Sequence, residues 1–261
     1  VYALNITQMY QSVLTRKNAS TLFGGGKPME DANCIAAYFM NESLVGGDEA
    51  DQSGNNENLT ETSGDIPTSA DVPSGYSGTS RDFENGETEW LEANDGGSTD
   101  ISGADQELTI CYWVKLEDSF TSATRRIITK WNGSWSYSSH MWWGSGSTAT
   151  GRMSLNSGGG EGHENVSTGD SLTPGTWYHC AYVYDDVNMK SYLNGVYKNS
   201  TAHADGFDAH NDDFRIGAEA DDDNPHDGLL DEVILFSRAL SLAEINYIKD
   251  NGISGDKGGS D

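Results

Sequence analysis

The 261-residue chain sets 41 Asp and Glu against 15 Lys and Arg, a formal charge of -26. That charge repels phosphate backbones and anionic membrane surfaces, which excludes nucleic-acid binding and suits solubility and divalent cations. A hydrophobic content of 35% supports one substantial core.

Residues 1–30 read as an arm. Ile6, Met9, Tyr10, Val13 and Leu14 form one helical stripe, and the run Gly24-Gly25-Gly26-Lys27-Pro28 separates it from the rest of the chain. Such an amphipathic helix docks either on its own domain or on a partner subunit. From residue 33 the punctuation is that of an all-β domain. Strands are predicted at 33–40, 89–93, 108–116, 126–131, 140–143, 152–155, 177–184, 190–193, 213–217 and 229–236, separated by Gly, Ser, Asn and Asp. Asn194-Gly195 is the strongest hairpin signal. One late helix is predicted, with Ser241 and Glu244 as a capping box, Leu242, Ile245 and Ile248 facing inward, and Asn251-Gly252 as its stop. Residues 253–261 form a polar tail.

Cys34, Cys111 and Cys180 each lie in an apolar segment, so they read as buried free thiols and not as a disulfide framework or a zinc site. No apolar run is long enough to span a membrane. The Val1 start fits either a mature end or loss of an initiator Met.

The succession D-Q-S-G-N-N-E-N, T-I-C-Y-W-V-K, P-G-T-W-Y-H-C-A-Y-V-Y-D-D, Y-L-N-G, F-R-I-G and G-L-L-D-E-V-I-L-F-S-R-A-L-S-L-A-E-I resembles the laminin-G-like jelly rolls of the concanavalin A-like superfamily. The resemblance runs over 31–252. It implies a two-sheet antiparallel sandwich with a short helix closing one edge. The arm and the Gly/Ser/Asp-rich loop from about 43 to 80 have no counterpart in that pattern.

Within the last strand, alternation places Leu229, Asp231, Val233 and Leu235 on one face and Leu230, Glu232, Ile234 and Phe236 on the other. A carboxylate beside buried apolar neighbours needs a cation, an arginine or a proton. The resemblance implies a structural calcium between the loop after the first strand and the last strand, with Asp51, Asn55, Asn56 and Asp231 as its ligands. The alternative is a salt bridge, Glu232 with Arg215 or Asp231 with Arg238.

For ligand binding, Trp135 and Tyr137, in the Ser/Gly-rich stretch before a strand, are the exposed aromatic candidates, and Trp113 and Trp177 are assigned to the core. The acidic cluster of 205–227 adds Asp221, Asp222 and Asn224 as rim residues. Glu87, Glu89 and Glu92 bring carboxylates together as glucanases of this fold do, but Glu92 has the opposite strand parity, so no catalytic pair is predicted.

These features point to a non-catalytic, surface-displayed recognition module for a glycan or a surface protein, extracellular or on an assembled particle. The second expectation is a structural subunit of such a particle, a virion decoration, tail or filament protein anchored and self-assembled through residues 1–26.

Overall fold

The computed structural model describes residues 21–24, 26–41, 48–62, 66–84, 89–101, 106–117, 124–131, 135–144, 148–156, 163–204, 206, 212–219 and 224–257; at 131, 135–136, 143–144, 148, 156 and 163 it describes the backbone alone. Most of the arm and the end of the tail lie outside these residues.

The strands in chain order are β1 (Cys34–Tyr38), β2 (Thr60–Thr62), β3 (Thr68–Ser69), β4 (Ser80–Phe83), β5 (Trp90–Ala93), β6 (Leu108–Leu116), β7 (Thr124–Trp131), β8 (Trp135–Gly144), β9 (Thr148–Asn156), β10 (His163–Ser167), β11 (Trp177–Tyr184), β12 (Asn188–Leu193), β13 (Val196–Ala202), β14 (Phe214–Ile216) and β15 (Gly228–Phe236). They form an eight-stranded sheet, β13-β12-β11-β6-β15-β4-β3 with β1 also on β15, and a seven-stranded sheet, β10-β9-β8-β7-β14-β5-β2. The pairings are antiparallel, as the two-sheet jelly roll requires.

Alternation along each strand divides the side chains between two cores. Ile110, Tyr112 and Val114 of β6, Tyr182 and Tyr184 of β11, and Met153 and Leu155 of β9 fill the space between the sheets. This layer is rich in tyrosine because a buried ring is tolerated when its hydroxyl finds a polar partner. Tyr38 donates to Glu57 O at 2.7 Å, Tyr137 donates to Thr99 O at 2.9 Å, and Tyr112 Oη lies 2.6 Å from Ser139 Oγ.

The outer face of the eight-stranded sheet carries a second core. There Cys111, Ala181, Val183, Ile234 and Phe236 meet the helix α1 (Leu242–Asn251) through Ile245, Tyr247 and Ile248. Ser241 and Glu244 form the expected capping box, and Gly252, at φ 78°, ends the helix. Leu242, expected inward, is 45% exposed. Glu244 is drawn onto Arg238 at 2.7 Å, and Leu242 lies about 200° around the helix from it. Phe23, at the end of the arm, is buried in this second core against Phe236 and Tyr247, with ring centroids 6.0 and 5.8 Å away.

All three cysteines are free and buried. Burial pushes the Cys180 thiol up to about 12, so it is an inert core group at neutral pH.

Candidate functional site

The side of the seven-stranded sheet that faces away from the core is polar in register. One cross-strand row reads Ser167, Arg152, His140, Arg126. The next reads Asn165, Ser154, Ser138, Thr129, Arg215, Glu92, Thr60. Beside the first row, Trp142 faces out from β8 and is 39% exposed. Within the first row Arg126 and His140 are buried and Arg152 and Ser167 are half-buried, so the accessible part of this face is Trp142 with Arg152 and Ser167.

The charges of this face are held in place. Arg126 meets Glu219 at 2.9 Å and directs Nη1 at Ser138 Oγ, 3.2 Å, and His140 Nδ1, 3.3 Å. A guanidinium offers only donors, so His140 Nδ1 is the acceptor in this contact. Asn224 closes the same corner. Its side chain donates to Glu219, and its carbonyl accepts from Arg126 N at 2.9 Å. Arg215 meets Glu92 at 3.1 Å and lies over the Trp90 ring at 5.0 Å. Arg152 lies over the Trp142 ring at 4.4 Å.

The fold has clear relatives. The laminin-G-like model of the concanavalin A-like lectin/glucanases superfamily matches residues 85–246. The chain belongs to this superfamily. Among solved structures it is similar to domain 4 of AbnA, an extracellular arabinanase of Geobacillus stearothermophilus, solved with arabinotriose; identity is 20% and the TM-score 0.61, over 82% of this chain and 97% of that one. It is also similar to the binding domain of Paraclostridial Mosquitocidal Protein 1, with 16% identity, TM-score 0.66, and 85% and 52% of the two chains. The receptor-binding domain of botulinum neurotoxin C/D mosaic serotype gives 16%, 0.62, 84% and 51%. The chain thus spans about half the length of these toxin domains. No curated protein sequence matches it.

In this laminin-G-like domain the last strand departs from simple alternation. β15 pairs with β4 over 228–230 and with β1 over 233–236, and a bulge between Asp231 and Ile234 sits where its neighbour changes. Glu232, at φ 53°, is the extra residue. The bulge turns both carboxylates to the helix side, which corrects the expectation of opposite faces. Asp231 pairs in register with Trp113, and both acids act on the Tyr76 hydroxyl, which binds the end of α1 at Lys249 O, 2.9 Å. Glu232 accepts from Ile253 N at 2.6 Å. Burial pushes Asp231 well above the usual carboxylate range, helped by Glu232 and Glu49, and pushes Glu232 up to about 7. Neither expected salt bridge forms: Arg215 takes Glu92, and Arg238 takes Asp31 and Glu244.

The expected calcium set does not fit an ion as a unit. Asp51 accepts from Ala37 N at 3.0 Å, Ser53 N at 2.9 Å, Ser53 Oγ at 2.7 Å and Glu57 N at 3.2 Å. These donors use the four lone-pair directions of the carboxylate. Asn55 donates to the carbonyls of Cys34 and Ile35, and Asn56 turns the loop at φ 63°. Asp51 is an internal clamp that ties the 51–58 loop to β1 at Ala37, level with Ile234 and not with Asp231. Asp51→Ala is therefore expected to lose about 2–4 kcal/mol in urea unfolding, from the backbone donors left unmet. The loss should be equal in calcium and in EDTA; a loss seen only with calcium present would restore a metal role.

Among the described residues, Asp82, Glu84 and Glu117 are carboxylates whose oxygens come within 4.8 Å of one another. They lie where β4 and β6 flank the start of β15. Burial and the nearby Glu117 push Asp82 above its usual range.

The aromatic assignments are exchanged. β8 starts at Trp135, not at 140, so the Ser-rich stretch is strand and not loop. Its parity points Tyr137, Ser139 and Met141 into the sandwich and Ser138, His140 and Trp142 away from it, so Tyr137 is a core residue, fully buried, while Ser138 and His140 are buried on the other side of the sheet and Trp142 is exposed. The side chain of Trp135, and Asp221 and Asp222, lie outside the described residues. Trp113 and Trp177 are half-buried on the helix-side face and not in the sandwich; Trp177 donates to Asp71 at 2.8 Å. Glu87 is outside the described residues, Glu89 accepts from Glu84 N at 3.0 Å, and Glu92 is held by Arg215 and by Trp90 Nε1 at 3.0 Å. Trp142, Arg152, His140 and Arg126 escaped the sequence reading, although the spacing Ser138, His140, Trp142 against Arg152 carried the signal once the strand began earlier.

Proposed function

We propose that the protein is a non-catalytic glycan-recognition module, displayed outside the cell or on a particle surface, that binds through the outer face of its seven-stranded sheet at Trp142. The observation that carries this reading is the exposed indole beside two half-buried polar side chains, Arg152 and Ser167, with the buried His140 and Arg126 continuing their row. An indole face stacks on the C–H face of a sugar ring, while Arg152 and Ser167 beside it offer polar groups to the hydroxyls. Because β7, β8 and β9 lie inside the sheet, these groups are preorganised and lose little freedom on binding. The superfamily and the arabinotriose complex of the similar arabinanase domain support a saccharide as ligand.

The test is a glycan array with wild type and Trp142→Ala. Trp142 is exposed, so the variant should keep its melting temperature while binding to every glycan that the wild type takes falls by at least about tenfold. Unchanged binding by a folded Trp142→Ala would move the site off this face.

A further inference from the structure

We propose that the glycan bound at the Trp142 face carries a carboxylate and that Arg152 is its anchor, an inference that rests on the glycan reading above. Among the described residues three cations share this face, and two are neutralised within the fold: Arg126 by Glu219 and Arg215 by Glu92. Arg152 meets no carboxylate among the described residues, in a chain with 41 acidic side chains. Its Nε is buried and has no hydrogen-bond partner. Its guanidinium instead lies over Trp142, centred 4.4 Å from the ring, and Trp142 still leaves 39% of its surface to solvent.

This arrangement leaves a charge without an acid partner beside an exposed indole, and with Nε shut off from solvent a ligand would meet the guanidinium from its Nη side. An indole polarises toward a cation but offers no acceptor to the N–H groups in the guanidinium plane. Sugar hydroxyls would satisfy N–H groups but not the charge. A carboxylate does both, since its two oxygens match the arginine fork. The partial desolvation that holds Arg152 below its usual pKa makes such a pairing stronger than one in open water.

The position of the charge also sets the ligand's geometry. With Arg152 and Trp142 in contact, the carboxylate must belong to the stacked ring or to its immediate neighbour. A uronic or other sugar acid unit fits that description. The -26 charge of the chain does not forbid such a ligand. Distant carboxylates are screened beyond about 8 Å at physiological salt, whereas a direct guanidinium contact is not.

The test uses the whole chain on an array of matched glycans: uronic acid oligosaccharides, the same oligosaccharides with their carboxyls methyl-esterified, neutral chains of the same linkage, and sulfated chains. Wild type should bind the free acids at least about tenfold more tightly than their esters or neutral counterparts. Arg152→Gln should abolish that preference while the melting temperature holds, and Arg152→Lys should restore part of it. Equal binding of acids and esters, binding confined to sulfated chains, or an acid preference that survives Arg152→Gln would overturn the carboxylate assignment and leave the glycan reading standing. Failure to bind any glycan would sink both.

Discussion

Replacing Arg81 by Met is expected to destabilise the fold by about 3–5 kcal/mol, with unfolding in urea at neutral pH as the measurement. Arg81 lies on β4 opposite Leu230, facing the interior between the sheets, and is only 2% exposed. Its Nε meets Glu49 at 3.2 Å, Nη1 lies 3.8 Å from Glu61, and Nη1 donates to Ile66 O at 2.8 Å. Met reproduces the stem and removes the charge, so two buried carboxylates lose the guanidinium between them. The triple variant Arg81→Met, Glu49→Gln, Glu61→Gln should recover most of the loss, because it removes the buried charges with their partner. A single variant within about 1 kcal/mol of wild type would show that this ion group is not what holds the 49–66 segment on β4.

This group also shows what sequence can and cannot carry. β6 and β11 were readable residue for residue, since both their faces are apolar and their ends are marked by turns. β13 offers no such pattern: Val196, Tyr197, Asn199 and Ser200 are all exposed, so it is defined by its ladder to β12 rather than by burial. β2, β3 and β4 lie in or beside what reads as a long polar loop, and they exist because Arg81 and the Leu59 and Ile66 side chains pin that loop to the sheets.

The site was harder to read than the fold for two physical reasons. Strand parity depends on where a strand starts, and a Ser-rich start hid the first half of β8, so Tyr137 and Trp142 exchanged roles. The β15 bulge depends on a change of neighbouring strand, which is a long-range event with no local mark: Glu232 takes φ 53° without being a glycine. The proposed glycan face likewise joins β7, β8, β9 and a corner at Asn224, residues that only the ladder brings together.

The buried acid pair gives the second large expectation, a pH profile. Glu232 is raised from 4.5 to about 7 by burial, against the opposing effect of the Ile253 amide, and Asp256 adds to the rise. Asp231, beside it, shifts in the same direction, and Glu49 contributes there. For a carboxylate whose pKa is raised on folding, the unfolded chain loses its proton first. The stabilisation is complete below about 4.5 and is lost as pH climbs through about 7, to a total of about 3 kcal/mol for Glu232. His179 and His226, both buried and pushed down to about 3, act with the opposite sign: their contribution is full above 6.5 and fades as pH falls. Wild type is thus opposed from both sides, and the informative quantity is the difference from Glu232→Gln. Gln keeps an acceptor for Ile253 N and cannot ionise. Relative to wild type, the variant should gain stability steadily between pH 5 and pH 8, by up to about 3 kcal/mol, while both share the histidine-driven loss at acid pH. Parallel profiles would mean that Glu232 titrates as an ordinary surface acid, and that the bulge and the docked C-terminal segment do not keep its charge from water.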